Sequence, residues 1–340
     1  MVARITFREV INMGFSISSL VDTVKHGTPE QRLNLTLFPL FMECKTAVSY
    51  LLLDEALQRR VLVVMEVGEG GLVNAVMVEN KSEQAVLILD GEELVGAKQN
   101  RMVNATLLVP PKSKIRVPVS CVERGRWQYG ARTFEQTGIF GYATLRRQKA
   151  AQVGSSLRQG MAFTADQGAI WEEIDRKQAR MHAHSATDAV HDIYVGFEEK
   201  LREYVEGLSP TDGQSGVAAF INGRFSCLDL FAPPDTLAKV WPKLIRSYAM
   251  EALELAQTKD GRLTANMDQV LDAIKRMECQ EYPSVGRGTD IRLRGKGLVG
   301  AGLVDEGQLL HLCVFGATDS EHETNETPMA RPSRRRVRVW

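Results

Sequence analysis

The chain has 340 residues, with 42 basic and 42 acidic side chains, 44% hydrophobic and 25% charged residues. These proportions belong to a folded globular protein and exclude a wholly disordered chain, a collagen-like fibre and a disulfide-dense mini-protein. At roughly 150 residues per domain the length suggests about two domains and is ample for an apolar core, and a formal charge of zero argues against a nucleic-acid binder that works through a globally basic surface.

From Leu33 to about Val122 the sequence alternates short Val, Leu and Ile runs with Gly, Asn or Asp clusters, the mark of antiparallel strands. VLVVMEV and LVNAVMVEN flank GEGG and predict a hairpin; AVLILD follows and ends at Asp90-Gly91, a turn dipeptide. MVNATLLV, the Pro110-Pro111 turn and KIRVPVSCV predict two further strands, with Pro118 at an edge or bulge because it cannot donate to a ladder. One helix interrupts them, at Ala47–Arg60, where apolar residues take helical spacing.

Between Tyr142 and Leu208 the period becomes helical, most clearly over Asp166–Met181 and Thr187–Val205, the second with Thr187 and Asp188 as caps and Gly207 as its stop. GVAAFI, Asn222-Gly223 and RFSCLDLF then predict a second hairpin. Helices near Pro234–Ala256 and Ala265–Met277 follow, then strands near Ile291–Leu293, Leu298–Val304 and Leu309–Phe315. The order favours α+β over βαβ units: an antiparallel β-rich N-terminal half, a helical middle, and a C-terminal part made of a hairpin, two helices and closing strands. The expected organisation is one globular unit over 1–317, with a β-rich part at 30–135, a helical part at 140–208 and a mixed part at 209–317. Residues 318–340 hold acids and then arginines without apolar periodicity, and read as a disordered tail whose basic end would add only a weak nucleic-acid contact.

Five cysteines (Cys44, Cys121, Cys227, Cys279, Cys313) are scattered and form no CxxC pair. Neither a disulfide framework nor a zinc knuckle fits, so reduced, mostly buried thiols in a cytoplasmic protein are expected. The N-terminus lacks the apolar core and cleavage site of a secretory signal, and no apolar run approaches the roughly 20 residues that span a bilayer. A soluble protein without a membrane partner follows.

Several motifs fail on context. Gly295-Lys296-Gly297-Leu298-Val299-Gly300 matches GxGxxG, with Asp319 downstream, yet a second strand instead of a helix follows it. Gly91–Lys98 resembles a phosphate loop but carries one extra residue and two carboxylates. His182, His184 and His191 suggest a metal trio, but residues two apart on a helix point to opposite faces unless the helix ends there; no metal ligand is assigned. His311 and Cys313 share a face of a predicted strand, where core packing is the better reading than a nucleophile pair.

Leu89–Trp127 is the most informative stretch. It sets Glu92, Glu93, Lys98, Gln99, Asn100 and Arg101 beside one hairpin, and Glu123, Arg124, Arg126 and Trp127 at the end of another strand. If the clusters converge, Lys98, Arg101 and Arg126 would hold an anionic ligand, Gln99 and Asn100 would orient it, and Trp127 would stack on it. Glu93 or Glu123 would then be the catalytic carboxylate if chemistry occurs. The plain alternative is a salt-bridged surface.

The blocks NLTLFPLF, LLLDEAL, LDGEELVGAKQNR, VPVSCVERGRW and FINGRFSCLDLF, in this order, resemble the ADP-ribosylglycohydrolase- and rhodanese-phosphatase-associated protein domain over most of residues 30–316. The resemblance implies a β-rich domain placed by genomic association near the processing of ADP-ribose and NAD derivatives, and transfers no catalytic residue. The expected function is to bind, and on an enzymatic reading to process, an anionic small metabolite such as a nucleotide or an ADP-ribose or NAD derivative. The alternative is a non-catalytic protein-interaction module. No cofactor, oligomeric state or enzyme class is assigned.

Overall fold

The structure is a computed structural model that describes residues 15–43, 49–68, 70–256 and 266–317. Within these residues there are eight helices and eighteen strands. The chain begins with α1 (Ile17–Val21), β1 (Lys25–His26), β2 (Glu30–Arg32) and β3 (Leu35–Phe41), then β4 (Tyr50–Leu52) and α2 (Leu53–Gln58). A run of strands follows: β5 (Leu62–Glu66), β6 (Ala75–Asn80), β7 (Ala85–Ile88), β8 (Glu92–Gly96), β9 (Arg101–Val103), β10 (Leu107–Val109), β11 (Ser113–Cys121) and β12 (Phe134–Phe140). The middle is helical, with α3 (Ala143–Arg158), α4 (Gln167–Met181), α5 (Val190–Gly196) and α6 (Glu198–Val205). The chain then forms β13 (Gly216–Ile221), β14 (Arg224–Phe231), α7 (Pro234–Glu254), α8 (Met267–Lys275), β15 (Glu278–Pro283), β16 (Thr289–Gly295), β17 (Leu298–Asp305) and β18 (Gln308–Phe315).

The fold is α+β, and among the described residues every strand pairing except that of β4 with β7 is antiparallel. Six strands pair in the order β12-β8-β9-β11-β6-β5. A bridge between Met65 and Thr133 draws the two edge strands together, so this sheet curls until it almost closes. The alternation of β5, with Leu62, Val64 and Glu66 buried, gives it one inward face. Val64, Val78, Val117 and Val119 from this sheet pack with Val86, Ile88, Leu107 and Val109 from a three-stranded sheet, β10-β7-β4.

The third sheet has nine strands, β1-β3-β13-β14-β18-β17-β16-β15 with β2 beside β3. Both of its faces are covered, which is why β18 reads as the near-continuous apolar run LLHLCVF. One face packs Cys227, Phe231, Cys313 and Phe315 against Leu237, Leu244 and Tyr248 of α7 and Leu145 of α3. The other packs Leu228, Leu312 and Val314 against α8, whose Met267, Val270, Leu271 and Ile274 recur at helical spacing on one buried stripe.

The predicted hairpins form as read. Asn222 and Gly223 take φ of 50° and 78° between β13 and β14, the left-handed pair that the two-residue turn requires. Pro118 sits where β11 stops pairing with β6 and starts pairing with β9, a position that asks no ladder donor of it. Gly295–Gly300 spans the β16–β17 hairpin and Gly91–Lys98 is built around β8, so neither is a phosphate loop.

Three boundaries differ from the sequence reading. In place of one helix at Ala47–Arg60, Tyr50–Leu52 is a strand beside β7, and the helix starts at Leu53, where the Glu55 carboxylate accepts the Leu52 N–H; Ala47 and Val48 lie outside the described residues. Thr187–Val205 is two helices broken at Phe197, and the first begins at Val190 with Ala189 as its N-cap and no side-chain cap, because Thr187 and Asp188 are spent on Glu123 and Arg124; the Ser185 hydroxyl accepts the Ala189 N–H. MVNATLLV is two strands separated by buried Asn104 and Thr106. The tail predicted at 318–340 lies outside the described residues, as do Cys44 and Asp319. The four described cysteines are unpaired, and Cys121, Cys227 and Cys313 are buried. No helix among the described residues is long and apolar enough to cross a membrane.

Candidate functional site

The two polar clusters meet. The end of β8, the loop into β9 and the segment after β11 converge because β9 pairs with both β8 and β11, bringing Cys121 opposite Arg101. Glu123 is the joint. Its carboxylate accepts the Asn100 N–H at 2.9 Å, the Thr187 hydroxyl at 2.9 Å, and both Nε and Nη2 of Arg126 at 2.9 and 2.7 Å. Burial works to raise the Glu123 carboxyl, but these donors, Arg126 first, hold it below its ordinary value. Arg126 also donates to the carbonyls of Ala97 and Gln128 and to Asn100 Oδ1, so its guanidinium is consumed within the protein. Arg124 lies further out and pairs with Asp175 and Asp188.

Arg101 is completely buried. Its Nη1 donates to Gln99 Oε1 at 2.8 Å and to Cys121 Sγ, and its Nη2 lies 3.6 Å from Glu66 Oε1. Burial pushes the Cys121 thiol up to about 11 despite the adjacent guanidinium, and the thiol donates to Gln99 Oε1 at 3.0 Å. Two atoms here, Arg101 Nε and Glu66 Oε2, are buried without a hydrogen-bond partner. Gln99 is held between Arg101 and the Arg124 carbonyl.

Above this layer lies Lys98. Its Nζ donates to the Gly70 carbonyl at 2.7 Å and stands 5.5 Å from the centre of the Trp127 ring and 4.9 Å from that of Tyr129, while the Arg101 guanidinium is 5.5 Å from Trp127. Trp127 is 45% exposed and Tyr129 51%. Leu72 and Val73, whose carbonyls bind Arg101 and Cys121, are exposed as well. Tyr129, Leu72, Val73 and Glu66 were not singled out in the sequence; Glu66 ends β5, and the other three come from the β5–β6 and β11–β12 connections.

Glu93 is separate from this layer. It accepts from Thr137 on β12 and from His191 on α5. Glu92 is buried and bound to Lys243. Of the three histidines considered as a metal trio, His182 is the left-handed C-cap of α4 and His184 is exposed, and neither joins His191 in any metal-like group among the described residues.

A second polar cluster lies in the core between the six-stranded and nine-stranded sheets. Asp229 accepts Nη1 and Nη2 of Arg146 at 2.9 and 2.7 Å, the Tyr248 hydroxyl at 2.6 Å and His311 Nε2 at 2.9 Å. Thr106 accepts the Asp90 N–H and bonds His311 Nδ1. The side chain of Arg146 packs so close to Gly91 that a Cβ there would come within 2.8 Å, which explains the glycine after Asp90. Burial works to raise the Asp229 carboxyl, but Arg146 and His311 hold it far below the carboxylate range. The ligand atoms of Asp229, His311 and Cys313 lie within 4.8 Å of one another. A cation does not suit this place: Asp229 already carries a bidentate guanidinium, both ring nitrogens of His311 are engaged, and burial pushes the Cys313 thiol up to about 12. Packing, as expected from the sequence, accounts for His311 and Cys313.

A family model described as the ARG and Rhodanese-Phosphatase-superfamily-associated Protein domain matches residues 23–315. The chain belongs to this ARPP-1 family. The match runs from just before β1 to the last residue of β18, so both polar clusters of this ARPP-1 domain lie within it. No curated protein and no solved structure gives a significant match. One hollow of about 580 Å³ opens at the seam between β5 and β12, lined by residues such as Asp54, Arg60, Phe134 and Glu135; none of the eight residues proposed from the sequence lines it.

Proposed function

We propose that this ARPP-1 domain binds an anionic small metabolite, such as a nucleotide or an ADP-ribose or NAD derivative, on the face where Trp127 and Tyr129 flank Lys98. The observation that carries this reading is one ammonium group within 5.5 Å of two half-exposed rings. Rings that face solvent supply stacking for a base, and lysine supplies a point charge for phosphate. Arg101 and Glu66, each with a buried unpartnered atom, lie beneath as polar depth. Glu123, Arg126, Asn100 and Gln99 then act as the scaffold that fixes the Trp127 segment, since their polar groups are turned on one another.

Tryptophan fluorescence of the full chain, titrated with ADP-ribose, NAD and AMP, tests this. Saturable quenching is expected, absent in Trp127→Phe and at least about tenfold weaker in Lys98→Met, a loss of about 1.4 kcal/mol. No change in fluorescence and no thermal shift with all three compounds would remove the reading. A protein-interaction face is the second reading, favoured by Leu72 and Val73 beside the rings; it requires Trp127→Ala to abolish capture of a defined partner while leaving ligand titrations flat.

A further inference from the structure

Glu93 occupies the one place where the pairing of β8 with β12 breaks. Gln136 opposes Leu94 and Phe140 opposes Glu92, which leaves Thr137, Gly138 and Ile139 facing Glu93 alone. Gly138 takes a φ of 68° there, and the bulge sets the Thr137 hydroxyl 3.0 Å from Glu93 Oε2. Bulges of this kind re-aim side chains and are frequent beside active sites. From the opposite side α5 brings His191 Nδ1 to 3.3 Å from the same oxygen. The Glu93 side chain is fully buried, whereas that of His191 is 32% exposed. Glu93 Oε1 is buried without a partner, a condition that is destabilising in an ordinary core.

We propose that Glu93 and His191 form a proton-exchange site, with His191 Nε2 as the exchanging atom and Glu93 as the positioning residue. The site would act on a water molecule or on a hydroxyl group of a bound ligand. The O–H bond breaks, its electron pair stays on oxygen, the proton forms a new bond to Nε2, and Glu93 balances the imidazolium through Nδ1–H; the reverse step returns the proton to a leaving oxygen. A buried carboxylate holding one ring nitrogen fixes the tautomer and strengthens the other nitrogen as a base. The charged groups acting on the ring are Glu93 from β8, Asp192 from its own helix and Glu123 beyond β11. The hydrogen bond to Glu93 is the largest influence and, against the opposing effect of burial, lifts the affinity of the ring for its proton above the ordinary value. This inference uses residues outside the Lys98 face and stands whether or not that face binds a nucleotide.

Acylation of the full chain by diethyl pyrocarbonate at mildly alkaline pH, where imidazoles are neutral, tests it, with each of the six histidines followed by mass spectrometry. His191 is expected to react about two to three times faster than the exposed His182 and His184, and Glu93→Gln to remove that advantage while the far-UV spectrum stays native. A purely structural pair gives the opposite pattern: His191 slower than His182 and His184, and faster once Glu93 is replaced. That result would overturn the proposal. Should Glu93→Gln fail to fold, the comparison among the histidines of the unaltered protein decides alone, and ligand titrations at Trp127 remain a separate test.

Discussion

At Asp229, Arg146, Tyr248 and His311 close on a single carboxylate, and Asp229, Arg146 and His311 are fully buried. At Lys98, by contrast, a cation lies between exposed rings, with unpartnered atoms of Arg101 and Glu66 below it. The two regions use the same residue types. What separates them is enclosure: each holds an arginine whose buried Nε lacks a partner, but the Asp229 cluster is sealed in the core, while Lys98 stands beside rings that face solvent. The enclosed network ties α3 and α7 to the nine-stranded sheet through Asp229, whereas the Lys98 cluster reaches the surface at Trp127 and Tyr129.

The largest effect should come from breaking the enclosed network. Arg146→Met takes the bidentate partner from a buried carboxylate and leaves it only Tyr248 and His311, which should cost about 3–5 kcal/mol in urea unfolding, whereas Lys98→Met should stay within about 0.5 kcal/mol. Equal losses at the two positions would erase the distinction. Acid sharpens it further. The Asp229 carboxyl is depressed in the folded protein, so its contribution is complete above the unfolded value near about 3.9 and is lost only as the pH falls through its much lower folded value. The intact protein should therefore resist acid, and Tyr248→Phe, which removes one donor, should move the midpoint of acid unfolding upward as followed by circular dichroism. Glu123, also depressed but with weaker support, acts in the same direction.

Much of this architecture was legible because it follows local rules. Asn222-Gly223, the capped periodicity of α4 from Asp166 and the alternation of β5 each specify an element within a few residues. β15 and β12 were not legible: EYP and EQTG carry little apolar pattern, since β15 is a largely exposed edge and β12 is interrupted by its bulge. The convergence of Lys98–Arg101 with Glu123–Trp127 could be posed from charge density, but not which members would neutralise one another, because that depends on β9 bridging two strands. The pairing of His191 with Glu93 depends on α5 docking across the bulge, a long-range contact with no local signal, and the sequence suggested instead a trio with His182 and His184.

The smallest effect has the opposite sign and is for that reason the most diagnostic. His191 is raised in the folded state, so the stability it draws from Glu93 is complete below its unfolded value near about 6.5 and is lost as the pH rises through the higher folded value. Because about a third of the side chain meets solvent, the contribution should stay below about 1 kcal/mol. The difference in melting temperature between about pH 5.5 and about pH 8.5 should shrink in Glu93→Gln and in His191→Gln alike, and the two changes together should do no more than either alone. Additive effects would mean that the two side chains do not act as a pair, and that the bulge in β12 serves another purpose.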